Sequence, residues 1–272
     1  MKHDDLRQTA VELARLGGEM AASWFGRVTS TRKADGTPVT EADHAVQEAI
    51  LAVVGERHPD HAILVEEAVP RPERHRAAAD ADYCWVVDPI DGTRNYARRM
   101  DVYAVSVAVL RAGEPVAGAV FDATGNAVYS AVRGGGAFFE DKPLRSVDRP
   151  IGRDTTVALS SFRHRPMPQA VRPWLDAYLF RNLGSLCLHL VRVASGIMDA
   201  AYARECKLWD IAAGSLLITE AGGRITSGDG SALWPIDVAH YDGEDLPMLA
   251  GTPTMHARLL QSLQQSNDES RP

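Results

Sequence analysis

The chain has 272 residues, an ordinary hydrophobic fraction of 45% and a formal net charge of −7. That length suits one large domain or two intimately packed halves, and the composition excludes a disordered chain. The acidic balance argues against a nucleic-acid binder, whose affinity rests on Lys and Arg, and an anionic ligand would need local positive charge such as a bound metal.

The three cysteines, Cys84, Cys187 and Cys206, are dispersed and form no C-x-x-C pair. They point to reduced packing thiols rather than a disulfide framework or structural zinc site. No signal-peptide core and no run of about 18 apolar residues is present, so the reading is a cytoplasmic chain with no membrane partner.

Leu6, Ala10, Leu13, Leu16, Met20 and Trp24 recur at helical spacing and predict an amphipathic helix over residues 4–26. Lys33–Pro38 is rich in turn residues and reads as a loop, and Ala42 to Val53 as a second helix. Ile63-Leu64-Val65 is a short strand ending in Glu66-Glu67, followed by a proline-bearing surface loop over 70–82. Trp85-Val86-Val87 is a buried strand running into Asp88.

Strands are predicted over 102–110, 116–121, 127–132 and 137–139, with Asp141-Lys142-Pro143 as a turn. After about residue 145 the pattern alternates. A strand at 156–160, helices near 169–178 and 186–194, and a strand near 198–202 lead to a helix from Trp209 to Ala221. Gly222-Gly223 stops that helix. A strand at 248–250 and a helix at 253–263 follow, and the polar tail 264–272 is expected to be disordered. The layout is an α+β first half, residues 1–145, and an α/β second half, residues 146–272.

The stretch Asp88-Pro89-Ile90-Asp91-Gly92-Thr93 carries the chemistry. An apolar strand delivers two carboxylates into one turn, where they repel unless protonated or bound to cations. Pro89 restricts the residue before it, and Gly92 permits close backbone approach. Oxygen-only ligands favour magnesium or manganese over zinc or copper. A helix starting at Gly92-Thr93 would add an anion site. A plain surface turn explains the same residues equally well in isolation. Asp210 by itself reads as a helix cap rather than a ligand. Glu66-Glu67 at the end of one strand, Asp88 at the end of the next and Trp209-Asp210 at the head of a helix are together hard to explain as caps and turns.

With these motifs, Lys33-Ala34-Asp35-Gly36-Thr37-Pro38-Val39-Thr40-Glu41-Ala42-Asp43 and Glu220-Ala221-Gly222-Gly223, the chain resembles the inositol monophosphatase family of magnesium-dependent, lithium-sensitive phosphatases. The resemblance runs through nearly the whole chain. It implies a layered α-β-α-β-α sandwich of the inositol monophosphatase and fructose bisphosphatase type, often homodimeric, acting on a small-molecule phosphate monoester with two or three Mg2+ ions per site.

The resemblance assigns Glu66, Asp88 and the Ile90 carbonyl to one ion, and Asp88, Asp91 and Asp210 to a second. It gives Glu66 and Thr93 the role of orienting and activating the nucleophilic water. Asp91 and the Gly92 and Thr93 amides are placed on the substrate side, with Gly184 and Ser185 lining the leaving-group pocket and Arg181 nearby. Glu205 has no family counterpart at its own position and is a further substrate-side candidate, two residues beyond Ala203. Lys33 and Asp43 fall in the lid and third-metal region.

Inositol-specific members carry a Glu at the position of Ala203, and the stretch after Thr93 reads Arg94-Asn95-Tyr96-Ala97-Arg98-Arg99 rather than their usual pattern. Inositol monophosphate or a similar polyol phosphate stands first as substrate. Histidinol phosphate, phosphoadenosine phosphate and fructose bisphosphate are the alternatives. A catalytically idle binding or regulatory member would show damage at Glu66, Asp88, Asp91, Thr93 or Asp210, and all are intact. Gly134-Gly135-Gly136 reads as a β-turn, the nine histidines as surface or packing residues, and Arg71–Arg76 and Arg98-Arg99 as solvated surface.

Overall fold

A computed structural model of the chain describes residues 3–33, 36–67, 81–162 and 165–269. The first two helices are α1 (His3–Trp24) and α2 (Glu41–Arg57). α1 buries Leu6, Ala10 and Leu13 of the expected stripe, but its inner face then runs through Ala14, Gly17, Gly18 and Ala21, leaving Leu16 and Met20 half-buried and Trp24 exposed. α2 buries Ala42, Val46 and Ile50 together with Leu51 and Val54, and Val53 is half-buried. Gly17 and Gly18 interrupt α1 with poor helix formers, and the reason is proximity: a Cβ on Gly18 would lie 2.2 Å from the Phe121 ring. Between the helices, β1 (Ser30–Arg32) and β2 (Pro38–Thr40) pair antiparallel on either side of the expected loop, of which only Pro38 falls in a strand; the sequence predicts neither strand. Strands of three residues are too short to show an alternation.

The main sheet has seven strands in the order β3 to β9. They are β3 (Ala62–Val65), β4 (Tyr83–Asp91), β5 (Ala104–Arg111), β6 (Glu114–Asp122), β7 (Ala127–Val132), β8 (Gly136–Phe139) and β9 (Lys142–Leu144). β3 and β4 are parallel, and the remainder is an antiparallel meander. Period-two alternation divides β4 between two cores. Trp85 and Val87 pack toward α1 and α2, and Cys84 and Val86 toward the opposite face. A short helix, α3 (Thr93–Ala97), follows β4 directly.

A second sheet follows in the order β11-β10-β12-β14-β13. Its strands are β10 (Thr156–Leu159), β11 (Leu179–Arg181), β12 (Ala200–Ala203), β13 (Arg224–Ser227) and β14 (Met248–Gly251). β11, β10 and β12 run parallel, so their C-terminal ends share one edge. Helices α5 (Leu186–Ala194) and α6 (Leu208–Glu220) fill the space between the sheets, where most of the large central core lies. α4 (Arg172–Ala177) and α7 (Pro253–Glu269) cover the outer face. The result is the α-β-α-β-α sandwich that the resemblance implies.

Several local expectations are corrected. Lys142-Pro143 belongs to edge strand β9 rather than to a turn. The helix near 169–178 is a 3-10 turn, Gln169–Val171, followed by α4. The tail expected to be disordered continues α7 to Glu269, because extending a nucleated helix through Gln and Ser costs little. Strands β11 and β13 form where the sequence predicts no element. The basic run Arg71–Arg76 lies outside the described residues. The described cysteines are all free and buried. Among the described residues, no helix is long and apolar enough to cross a membrane.

Candidate active site

In a regular strand, residues three apart point to opposite faces, so Asp88 and Asp91 should diverge. The ladder between β4 and β5 resolves this. Asp88 pairs with Ser106 and Asp91 with Ala104, so β4 carries one extra residue over that interval. Such a bulge returns both carboxylates to one face. That face looks at α6: Ser106 Oγ donates to the Trp209 carbonyl (3.3 Å), and Ala104 belongs to the core between the sheets. Asp88 Oδ1 accepts from the Ile90 N–H (3.0 Å), which ties the turn.

Asp210 arrives from the N-terminus of α6. Its Oδ2 accepts from the Lys207 N–H at 2.7 Å, the reach of a third helical residue back to the cap. Asp210 therefore caps α6, and the same side chain stands beside Asp88 and Asp91. Ligand oxygens of Asp88, Asp91 and Asp210 lie within 4.8 Å of one another. Asp43 at the start of α2 repeats the device, its Oδ2 accepting from the Thr40 N–H (2.8 Å) and Thr40 Oγ1 (2.5 Å).

Glu66 follows β3 beside Asp88. Val65 is in register with Val87, and the Glu66 N–H donates to the Val87 carbonyl (3.2 Å). Lys33, from the hairpin, places its Nζ 2.7 Å from Glu66 Oε1 and also pairs with Glu67. Glu67 is held from behind by Gln47, which exchanges two 3.1 Å hydrogen bonds with its backbone.

Thr93 opens α3. Its Oγ1 lies 2.9 Å from the Ile90 carbonyl and 3.2 Å from Asp43 Oδ1. The Gly92 cap has φ +98, and a Cβ there would stand 3.1 Å from the Val102 carbonyl. Only glycine accepts both conditions. The amides that open α3 precede its first internal bond, from Asn95 N–H to the Gly92 carbonyl.

The second half supplies the other wall. Asp91 Oδ2 accepts from Ser185 Oγ (2.6 Å) and from the Cys187 N–H (2.6 Å), both at the head of α5. Gly184 precedes Ser185 in the left-handed region, φ +74. Glu205, after β12, accepts from the Arg165 N–H (2.9 Å) on the loop after β10. Arg181 ends β11, exposed, and donates to its own neighbour's carbonyl at Phe180 (2.8 Å). These loops leave the shared C-terminal edge of the parallel strands, a common location for ligand sites. Arg98 and Arg99 are exposed, as expected.

Electrostatics set the chemistry. Burial, then the charges of Glu66, Asp91 and Asp210, push the Asp88 carboxyl well above its usual range. Burial and Asp91 do the same to Asp210, and burial raises Asp91 against the pull of Ser185 and Cys187. Burial lifts Glu67 to about 7 despite Lys33. A cluster of carboxylates, Asp88 buried and Asp91 and Asp210 half-buried, that resist ionising together offers only oxygen donors and fits a hard divalent cation. Glu220, at the far end of α6, is elsewhere: it accepts from the Gly134 (2.8 Å) and Gly136 (2.9 Å) N–H groups and holds the β7–β8 turn. Sequence reasoning misses Asn95, Thr40 and His189. Asn95 and His189 grip the turn before Ser185, and no spacing rule marks them.

A family model described as the inositol monophosphatase family matches residues 2–268. The chain belongs to the inositol monophosphatase family. Inositol-1-monophosphatase of Mesorhizobium japonicum is 33% identical over 248 residues, covering 85% of this chain and 88% of that protein. The Nus factor SuhB of Pasteurella multocida is 36% identical over 231 residues, covering 81% and 84%. Among solved structures, extragenic suppressor protein suhB of Bartonella henselae matches with a TM-score of 0.84 at 26% identity, over 96% of this chain and 99% of that one. The IMPase of Thermotoga maritima matches at 0.82 and 25% identity, over 97% and 99%. Within that matched region, the fold brings the Asp88–Thr93 turn and the Trp209-Asp210 helix start to one point.

Proposed function

We propose that this protein is a magnesium-dependent phosphatase that releases inorganic phosphate from a small polyol phosphate, inositol monophosphate or a close analogue. The observation that carries this reading is the convergence of Asp88 and Asp91 from strand β4 and Asp210 from the start of helix α6 onto one point beside Glu66 and the head of α3. Membership of the inositol monophosphatase family supports it.

In this reading Glu66, Asp88 and the Ile90 carbonyl hold one ion, and Asp88, Asp91 and Asp210 a second. The chemistry such ions supply is neutralisation of the phosphoryl oxygens, activation of water and stabilisation of the departing oxygen. Thr93 has one hydroxyl proton and two acceptors, the Ile90 carbonyl and Asp43. With that hydroxyl donating to Asp43, the Thr93 oxygen presents lone pairs that would orient the attacking water, aided by Glu66. The amides at Gly92 and Thr93 receive phosphate oxygens. Gly184, Ser185 and Glu205 wall the leaving-group side, and Lys33 closes the lid toward the third-ion region near Asp43.

Histidinol phosphate, phosphoadenosine phosphate and fructose bisphosphate remain the competing substrates, because Ala203 stands where inositol-specific members carry a Glu. The name Nus factor SuhB on one relative keeps an idle regulatory role as the second reading. The intact carboxylate set weighs against it. The test is phosphate release from those four substrates, with and without magnesium, for the wild type and Asp88→Asn. A magnesium-dependent rate lost in the variant supports the reading, and the highest kcat/KM names the substrate. A folded protein that binds no magnesium would overturn the mechanism.

A further inference from the structure

Asp91 is held by the head of α5, and that head is held in turn by the peptide before it. The Leu183 N–H donates to His189 Nε2 (2.9 Å), and the Leu183 carbonyl accepts from Asn95 Nδ2 (2.7 Å). The same Asn95 amide donates to the Val102 carbonyl (2.8 Å), next to the Gly92 turn. Gly184 follows with so little room that a Cβ would lie 2.8 Å from Asn95 Nδ2. Ser185 then reaches Asp91 with its Oγ while accepting from the Leu188 N–H (3.2 Å). One peptide is thus gripped from both sides: α3, in the first half of the chain, and α5, in the second.

His189 is an odd residue for its place. It stands between Leu188 and Leu190 on α5, it is 1% exposed, and its Nδ1 has no partner among the described residues. A buried imidazole with one unmet nitrogen costs more than a hydrocarbon of similar shape, so packing alone does not account for it. What a hydrocarbon lacks is an acceptor for the Leu183 N–H. Burial lowers His189 to about 4, which keeps Nε2 an acceptor at neutral pH.

We propose that His189 is a positioning residue for this site: as an acceptor it fixes the Leu183 peptide, and with Asn95 it sets the 183–185 turn so that Ser185 engages Asp91. This rests on the reading of Asp91 as a metal ligand. Ser185 and the Cys187 amide occupy Asp91 Oδ2, which leaves the other carboxylate oxygen for the cluster. A turn that drifts releases Ser185 and lets Asp91 rotate. Outer partners of this kind change metal affinity or activity by about ten- to a hundredfold.

The test compares His189→Met, which keeps bulk but removes the acceptor, with His189→Gln, whose Oε1 can replace Nε2. Magnesium dissociation constants by calorimetry, kcat and KM for phosphate release, and Tm in chelator are measured for both variants and the wild type. The expected result is about tenfold weaker magnesium binding in His189→Met, a fall in kcat larger than the rise in KM, and recovery of most of both in His189→Gln. Wild-type magnesium affinity in His189→Met would overturn the proposal. Equal damage in both variants would also overturn it. If His189→Met does not fold, Asn95→Ala loosens the same peptide from the other side, and wild-type magnesium affinity there would overturn the proposal equally. A wild type that binds magnesium but hydrolyses none of the four substrates would count against the functional reading alone, because the calorimetric comparison still stands.

Discussion

Lys33 Nζ lies 2.7 Å from Glu66 Oε1 and also pairs with the buried Glu67, so a single ammonium from the β1–β2 hairpin neutralises two acids at the edge of the carboxylate cluster. Burial pulls the Lys33 ammonium down, and Glu66 and Glu67 together override it and raise it above its ordinary value. In the metal-free protein this lysine is the cation nearest to those acids among the described ion pairs. Lys33→Gln should therefore cost about 2 kcal/mol in chelator, between the exposed-pair and buried-pair limits. That corresponds to a fall in Tm of about 5 °C. Saturating magnesium should recover most of it by meeting the same negative charge. Thermal melts with and without magnesium check this, and an equal loss in both conditions would refute it.

Asp210 serves α6 and the cluster with the same carboxylate, and the two duties can be separated. Asn at this position can still accept from the Lys207 N–H, so Asp210→Asn should fold with a Tm in chelator no lower than wild type. Its magnesium-dependent activity should fall by at least about a hundredfold. Asp210→Ala loses the cap as well and should be about 1 kcal/mol less stable than Asp210→Asn. Denaturation curves and phosphate-release rates on the same samples decide the matter.

The raised carboxyls dictate a sign for the pH dependence of the metal-free protein. Asp88, Asp91 and Asp210 all titrate above the ordinary Asp value in the fold, chiefly through burial. Over the window above about 3.8 the native state binds more protons than the unfolded chain, so stability in chelator should decline as pH rises. Asp88→Asn removes one of the repelling charges and should flatten that decline. Urea midpoints at several pH values in chelator provide the measurement. A stability that climbs with pH across this window would contradict the placement of these acids.

Glu220 tests whether the second motif is one functional unit. It sits at the opposite end of α6 from Asp210 and binds two amides of the glycine turn between β7 and β8. Glu220→Ala should lower stability by about 1–2 kcal/mol and leave the kcat and magnesium requirement of the wild type unchanged. A large loss of kcat at unchanged stability would place Glu220 in the chemistry instead.

Elements with a repeating pattern are legible in the amino-acid sequence. α1, α2, α5 and α6 follow from apolar residues at helical spacing, and β4 to β7 from alternation or short apolar runs bounded by turns. The edge strands β9, β11 and β13 are not, because strands of three or four residues carry no period and owe their form to the neighbour they pair with. Asp210 shows the same limit at one side chain, since a cap and a ligand have the same sequence appearance.

What the sequence determined by itself was the inventory: acids at strand ends and a helix start, a strand-to-turn delivery of Asp88 and Asp91, and a charge balance that needs a cation to meet a phosphate. Hard oxygen ligands and turn-forming residues have those properties wherever they stand. Only the tertiary structure decided which of them meet. The β4 bulge turns Asp88 and Asp91 to one face, Ser185 reaches Asp91 across 94 positions, and Lys33 reaches Glu66 across 33. Those pairings depend on register and on helix seating against a sheet, which many distant residues set jointly, so no local pattern records them.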